Sequence, residues 1–442
     1  MTFKNISVIV SLVLIMFMSA IETSIVSLAL PTMRDDLNAI WPVSFVFTAY
    51  FIGIVLVIPI LSELMARVRV IYITILGLIL FVSGSLLSGV STTFGMLIFA
   101  RFIQGVGAGV NMSLAQIVPK LAFNIPFRYK VMGIVGSVWG ISSILGPFLG
   151  GFILEVTTWH WLFFINIPIG VVAAVFVLYA YHFDNETTVK HAFDYKGMLF
   201  FYLVIIGLML VVVGRLSILF SLLIGVLVLV CSVWLWRYSQ KRHTSFIPTQ
   251  SFQPIMIRVF FTDFFTAFML IGFNVFVPTY LQDYVGLTPL QSGLIIFPLT
   301  VGWLIINFTL DKIEARLSLY RIYMLAFTLI GVGSLMVYVM PSHIYSIAIV
   351  LFCVGMSFGV VYTKDSVIVQ EHSLTNQMKK MVSLFTLTRN LGNASGSAMI
   401  GVIYAWHLEF IKWPIQNVMI ASMVIIMGLI FIWLRRIDVH GL

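Results

Sequence analysis

The run from Ile6 to Pro31 is the first of fourteen apolar stretches of roughly bilayer length, and that recurrence constrains this fold more than any other feature. A hydrocarbon core about 30 Å thick is crossed by about 20 apolar residues rising ~1.5 Å each. The stretches fall near 6–30, 43–61, 70–90, 94–118, 131–153, 161–182, 197–213, 217–236, 257–281, 290–310, 320–340, 344–364, 380–405 and 415–434. The chain is 61% hydrophobic and 9% charged, where a soluble domain carries about 25% charged residues. The expected fold is therefore an all-α polytopic membrane protein. No cleavable signal stands apart from the first stretch, so that span is expected to act as the uncleaved insertion signal. Cys231 and Cys353 both lie in apolar runs and are expected to be lipid- or core-facing thiols rather than a disulfide framework.

The distribution of basic residues tests this map. Of 25 Lys and Arg, 20 fall on one side, only Arg34, Arg215 and Lys412 fall on the other, and Arg101 and Arg389 lie inside spans. The positive-inside rule then places both termini in the cytoplasm. The net charge of +9 reads as a topology signal, which excludes a nucleic-acid role. Polar stretches at His182–Lys196 and Arg237–Arg258 divide the chain into six spans (1–182), a two-span insertion with flanking loops (183–256) and six more spans (257–442). A faint repeat relates the halves. Pro31-Thr32 precedes Asp36 as Pro278-Thr279 precedes Asp283, and Ala66-Arg67-Val68 corresponds to Ala315-Arg316-Leu317. Parallel repeats of this kind are a transporter feature.

Two ionisable residues inside the first half carry the chemistry. Glu22 lies in span one and Arg101 at similar depth in span four. An unpartnered charge at that depth costs roughly 2.5–3.5 kcal/mol on insertion scales, which a proton or an opposite charge relieves. Arg101, Gln104, Gly105 and Ala108 share one helix face. The pair is either a structural neutralisation or a proton site, and intramembrane ionisable groups mark ion or substrate paths more often than not. In span five, Gly136, Gly140, Ser143 and Pro147 form one stripe. Small residues there admit a close neighbour and Pro147 bends the helix, although generic small-residue packing gives the same spacing.

These segments together resemble the major facilitator superfamily, in its fourteen-span drug:proton antiporter branch. Glu22–Pro31 is similar to that branch's first-span pattern L-D-x-T-I-V-N-V-A-L-P, with Glu for the usual Asp and Ser27 for the usual Asn. Arg101, Gln104 and Gly105 match R-x-x-Q-G in span four. Gly136, Gly140, Gly146, Pro147, Gly150 and Gly151 resemble the fifth-span antiporter motif ending G-P-x-x-G-G. Trp159–Gly170 is similar to W-R-W-x-F-x-x-N-x-P-x-G. The resemblance implies two six-helix bundles plus two extra helices and proton-driven export of drugs or dyes. It also implies a Gram-positive, staphylococcal-type cell membrane. The loop after span two departs from the family's G-x-L-a-D-R-x-G-R, since Ser62, Leu64, Ala66, Arg67 and Arg69 lack the leading Gly and the acid. Gating is then expected to use other contacts, such as Glu63 with a neighbouring Arg.

The second half holds Asp263 and Arg389 at depths that allow pairing, and Arg389 fits a family position. Asp263 reads equally as a second proton or cation site and as the mere partner of Arg389. Lys364 and Asp365 lie at a span end, where a solvated pair is expected. Tyr50 and Trp139 are the aromatic candidates, with Gln104, for a substrate cavity, with packing an equal reading for the two rings. No histidine cluster has metal-ligand spacing and no phosphate loop of the Walker type is present, so neither metal nor nucleotide cofactor is expected. The expected function is a monomeric secondary transporter, not an enzyme, that exchanges amphipathic cationic or zwitterionic drugs for protons. A lipid exporter or uptake symporter on the same scaffold is the alternative, and a non-transporting scaffold the third class.

Overall fold

The computed structural model describes residues 2–65, 67–124, 127–183, 194–213, 217–241, 247, 249–374, 378–407 and 411–434. All regular structure among them is helical. The first half contains α1 (Phe3–Asp36), α2 (Phe45–Leu64), α3 (Val70–Gly89), α4 (Phe94–Ala122), α5 (Phe127–Val156), the short α6 (Trp161–Phe164) and α7 (Asn166–Ala180). A hairpin follows, α8 (Tyr195–Val213) and α9 (Ile218–Gln240). The second half contains α10 (Pro254–Ile271), α11 (Val277–Asp283), α12 (Pro289–Glu314), α13 (Leu319–Val339), α14 (Ile344–Glu371), α15 (Met378–Tyr404) and α16 (Pro414–Leu434). Among the described residues, ten helices are long and apolar enough to cross a membrane, and the bent α5 makes an eleventh. The protein is a multi-pass membrane protein. The apolar parts of α2 and α8 are shorter. Helix α15 falls below the hydropathy of a lone span because Lys380, Arg389, Asn390 and Asn393 interrupt it.

Prolines set the breaks. Pro168 has no N–H for the Phe164 carbonyl, and the chain breaks at Ile165 between α6 and α7. Pro278 likewise leaves the carbonyl of Asn274 without its donor. The helix widens into a π turn over Gly272–Phe276 before resuming as α11. In α5 the axis bends by 43° between Lys130–Ser142 and Leu145–Val156, which is where Pro147 removes a donor one turn back. Pro31 does not end α1. That helix runs on to Asp36, past the expected end near residue 30, so Arg34, Asp35 and Asp36 project from its last turn.

Helices α1, α2, α3, α4, α5 and α7 pack together, as do α10, α12, α13, α14, α15 and α16. The two groups meet chiefly along two seams, α5 against α12 and α2 against α15, and α1 also touches α11 and α12. Without a hydrophobic drive in lipid, close van der Waals contact holds such seams. Gly105 of α4 presses on the Tyr50 carbonyl of α2, and Gly355 of α14 presses on the Leu299 carbonyl of α12. A side-chain carbon at either position would overlap backbone. The α8–α9 hairpin leans on the outside of α2 and α15. Tyr202 donates to the Leu56 carbonyl at 2.9 Å, Phe200 stacks on Trp234 at 3.7 Å, and most of the α9 surface is exposed.

Candidate functional site

Glu22 on α1 and Arg101 on α4 form a fully buried ion pair. Three further side chains extend it into a hydrogen-bonded network. Arg101 Nη1 also donates to Gln104 Oε1 at 2.6 Å, and Gln104 Nε2 donates to Ser85 Oγ of α3 at 2.6 Å. Asn166, at the start of α7, donates through Nδ2 to Glu22 Oε2 at 2.8 Å and to Ser85 Oγ at 3.1 Å. The guanidinium lies 4.4 Å from the Tyr50 ring centre and 5.6 Å from that of Phe163, within cation–π range. Among the described residues, Arg101 Nη2, Asn166 Oδ1 and the Tyr50 hydroxyl have no hydrogen-bond partner. The site is thus sealed and incompletely satisfied, a combination in which one added or lost proton changes the bonding pattern.

This geometry brings together Glu22, Arg101 and Gln104 and adds Tyr50 to them. Tyr50 is 1% exposed, so it roofs the ion pair in this conformation and does not line an open space. Trp139 lies apart, 38% exposed on α5. Asn166 and Ser85 were not singled out from the sequence. Asn166 sits at the Asn of the sixth-span motif, which is a usable signal, whereas nothing in the sequence marks Ser85.

The fifth-span glycines fall into two groups. Gly146 and Gly150 face Ser24 and Ile25 of α1, and Gly151 faces Leu290 of α12, which in turn sends Gly293 against Pro147. Gly140 meets Leu304 of α12, while a carbon added at Gly136 or Gly133 would meet nothing within 4 Å. The α5–α12 seam is therefore tight at one end and diverges at the other. The Ser143 side chain, Ala66 and the Glu63 side chain lie outside the described residues, so the stripe at Ser143 and the Glu63 gate are not placed.

The tight end is closed by polar contacts between the halves. Arg34, at the end of α1, donates from Nη1 and Nη2 to the two oxygens of Asp283, at the end of α11, at 2.6 and 3.0 Å. Gln282 donates to the Leu28 carbonyl at 3.1 Å, and Thr288 donates to Glu155 at 3.0 Å. Asp36 accepts from Trp159 Nε1 at 2.8 Å. The two acids of the faint repeat thus end in different contacts, Asp283 across the halves and Asp36 within the first. The chain start lies at the other end, where Lys4 donates to the His182 carbonyl at 2.7 Å.

In the second half Arg389 pairs with Asp263. Nε and Nη2 donate to Asp263 Oδ1 at 2.9 and 2.7 Å, and the guanidinium covers Tyr362 at 4.1 Å. Asp263 is buried and Arg389 is 27% exposed. The expected solvated pair at Lys364 and Asp365 does not form. Lys364 pairs with Glu314 at 3.0 Å, and Asp365 is fully buried and accepts from the Tyr323 hydroxyl. Neighbouring residues on a helix diverge by about 100°, so one side chain reaches the surface while the next enters the bundle. Cys231 is buried and Cys353 partly so, and both are free thiols.

Comparison with known proteins agrees with this architecture. The Major Facilitator Superfamily profile matches residues 12–397. The chain is 51% identical over 434 residues to the multidrug efflux pump SdrM of Staphylococcus aureus, covering 98% of this chain and 97% of that one. It is 27% identical to the multidrug transporter protein MdtP of Bacillus subtilis, covering 90% of this chain and 75% of that one. The crystal structure of a mutant of the nucleoside transporter NupG superposes with a TM-score of 0.69 at 13% identity, over 98% of this chain and 99% of that one. The all-helical architecture, the paired groups of helices and these matches together establish that the chain belongs to the Major Facilitator Superfamily.

Proposed function

We propose that this protein is a proton-coupled multidrug exporter of a bacterial cell membrane, with fourteen spans and both termini in the cytoplasm. In this reading residues 1–182 and 257–442 are the two moving bundles, and 183–256 is a peripheral two-helix insertion. The named activities of the staphylococcal and Bacillus relatives support drug export. The observation that carries proton coupling is the sealed Glu22–Arg101 site, a carboxylate and a guanidinium buried together in the path between α1 and α4.

The mechanism follows from charge. Ionised, Glu22 binds Arg101 and Asn166 and ties α1 to α4 and α7. Protonated, it loses most of its attraction for Arg101, and the tie between the helices weakens. A proton therefore favours whichever conformation separates them, and only such differential binding drives exchange. The halves close at the Arg34–Asp283 end and diverge beside Gly136. Positive-inside topology makes the divergent end cytoplasmic, so this conformation would accept drug from the cytoplasm. Trp139 then borders the entry, and the 43° bend at Pro147 sets how far α5 swings from α12. Asp263 and Arg389 form the corresponding charge site of the second half.

Reconstituted protein tests the reading through substrate-driven proton movement, with a cationic dye and a fluoroquinolone as substrates. Native protein is expected to move drug and proton in opposite directions, and Glu22→Gln to bind drug without exchanging it. Movement of both in one direction overturns export. Normal coupling in Glu22→Gln overturns the role of Glu22.

A further inference from the structure

The second half buries two carboxylates, Asp263 and Asp365, near one guanidinium, that of Arg389. Arg389 pairs with Asp263 through Nε and Nη2, and Nη2 also reaches Ser366 Oγ at 3.5 Å. Asp365, next to Ser366 on α14, is left with one bond. Tyr323 of α13 donates to its Oδ1, and Oδ2 is buried with no hydrogen-bond partner among the described residues. Among the described residues the remaining walls supply no second cation. Tyr323 stacks on Trp433 of α16 at 3.8 Å, and Trp433 donates to Thr262, beside Asp263, at 2.9 Å. Tyr362 and Phe385 sandwich Arg389 at 4.1 and 4.9 Å. The nearby Lys364 is already neutralised by Glu314.

An ionised carboxylate in such surroundings takes up a proton rather than remain bare. A neutral Asp365 fits every contact on view. Oδ1 keeps accepting from Tyr323, and the orphan Oδ2 becomes the O–H. We propose that Asp365 is a proton-binding site of this transporter, distinct from Glu22 and from the Asp263–Arg389 pair. Asp263 is the fixed counter-ion of Arg389, and Asp365 carries the exchangeable proton. Release breaks the Oδ2–H bond and hands the proton to water arriving beside Arg389, which is partly exposed. The carboxylate that remains is held by the Tyr323 hydroxyl and the neighbouring guanidinium. The proposal rests on the proton-coupled reading only for the use made of this proton, which adds a carrier in the second half to that in the first.

Infrared difference spectroscopy of the full chain in liposomes, titrated with pH, reads the proton directly. Native protein is expected to show a protonated-carboxyl carbonyl band that Asp365→Asn removes and that Glu22→Gln and Asp263→Asn retain. Tyr323→Phe is expected to shift that band without removing it, because the acid loses its donor but keeps its proton. This variant decides the matter if Asp365→Asn fails to fold. In transport, Asp365→Asn is expected to move one proton fewer per substrate than native protein. A carboxyl band set untouched by both Asp365→Asn and Tyr323→Phe overturns the proposal. Absence of any substrate-driven proton movement in native protein would instead overturn the antiport reading, and the band would still show whether Asp365 holds a proton.

Discussion

Replacing Arg101 by methionine isolates the electrostatics of the first-half site. The guanidinium is the only cation on Glu22 among the described residues, and neither side chain exposes surface. In the variant, Glu22 would keep Asn166 as its one strong donor. Its cheapest accommodation is then to bind a proton. Loading a proton at pH 7 onto a carboxyl whose ordinary value is near 4.3 costs about 3.7 kcal/mol, at 1.36 kcal/mol per unit. That agrees with the roughly 3–5 kcal/mol expected for breaking a buried pair. The sign with pH follows from proton counting. The folded variant binds one proton that the unfolded chain lacks, so its stability falls as pH rises and recovers by about 1.4 kcal/mol per unit as pH drops from 7 toward 5. Adding Glu22→Gln removes the stranded acid, and the double variant is expected to regain most of the loss and to lose the pH dependence. Unfolding midpoints in a mild detergent, measured for native protein, Arg101→Met and the double variant across this pH range, provide the check. An Arg101→Met loss that is equal at both ends of the range, or that persists undiminished with Glu22→Gln, would refute the argument.

Three further outcomes follow from the packing and the closed end. Gly105→Ala places a methyl into the Tyr50 carbonyl and is expected to destabilise by about 1–3 kcal/mol, whereas Gly95→Ala, with nothing within 4 Å, leaves the unfolding midpoint unchanged or slightly raised. Arg34→Ala breaks a pair that is 37% exposed on the arginine side. At about 0.2–1 kcal/mol for a solvent-screened pair, it is expected to shift the conformational balance toward separation of the α1 and α11 ends by at most about fivefold. Spin-label distances between those ends measure the shift, and an unchanged distribution counts against Arg34–Asp283 as the closing contact. Pro147→Ala restores a helical donor in α5 and is expected to reduce the 43° bend and slow transport while substrate binding persists. Distances along α5 and flux in liposomes test it together.

Several features were legible in the sequence because they depend on local pattern. Apolar run length identifies the helices, since lipid leaves the backbone no partner but itself. Pro147 announces its bend, and the acid and base at matching depths in spans one and four announce their pairing, because a bare charge there is too costly to keep. Lys364 and Asp365 show where that reasoning stops. Both sit near a span end, but which of two adjacent side chains faces the bundle depends on the rotation of α14 against α12 and α13, and span boundaries do not contain that angle. Tyr50 meets the same limit, since the sequence leaves cavity lining and packing open and the structure lays its buried ring against Arg101.

The sequence by itself determined the membrane class and the kinship of the chain, and it set Glu22 and Arg101, and Asp263 and Arg389, at depths that allow pairing. Each follows from periodicity, depth or motif read along the chain. Only the tertiary structure decided that Ser85 and Asn166 close the first site, that Arg34 reaches Asp283 across the halves, and that Asp365 lies buried beside a cation already spent on Asp263. These are contacts between helices distant in sequence, fixed by how small residues such as Gly105 and Gly355 let backbones approach and by the axial rotation each helix takes up in the packed bundle.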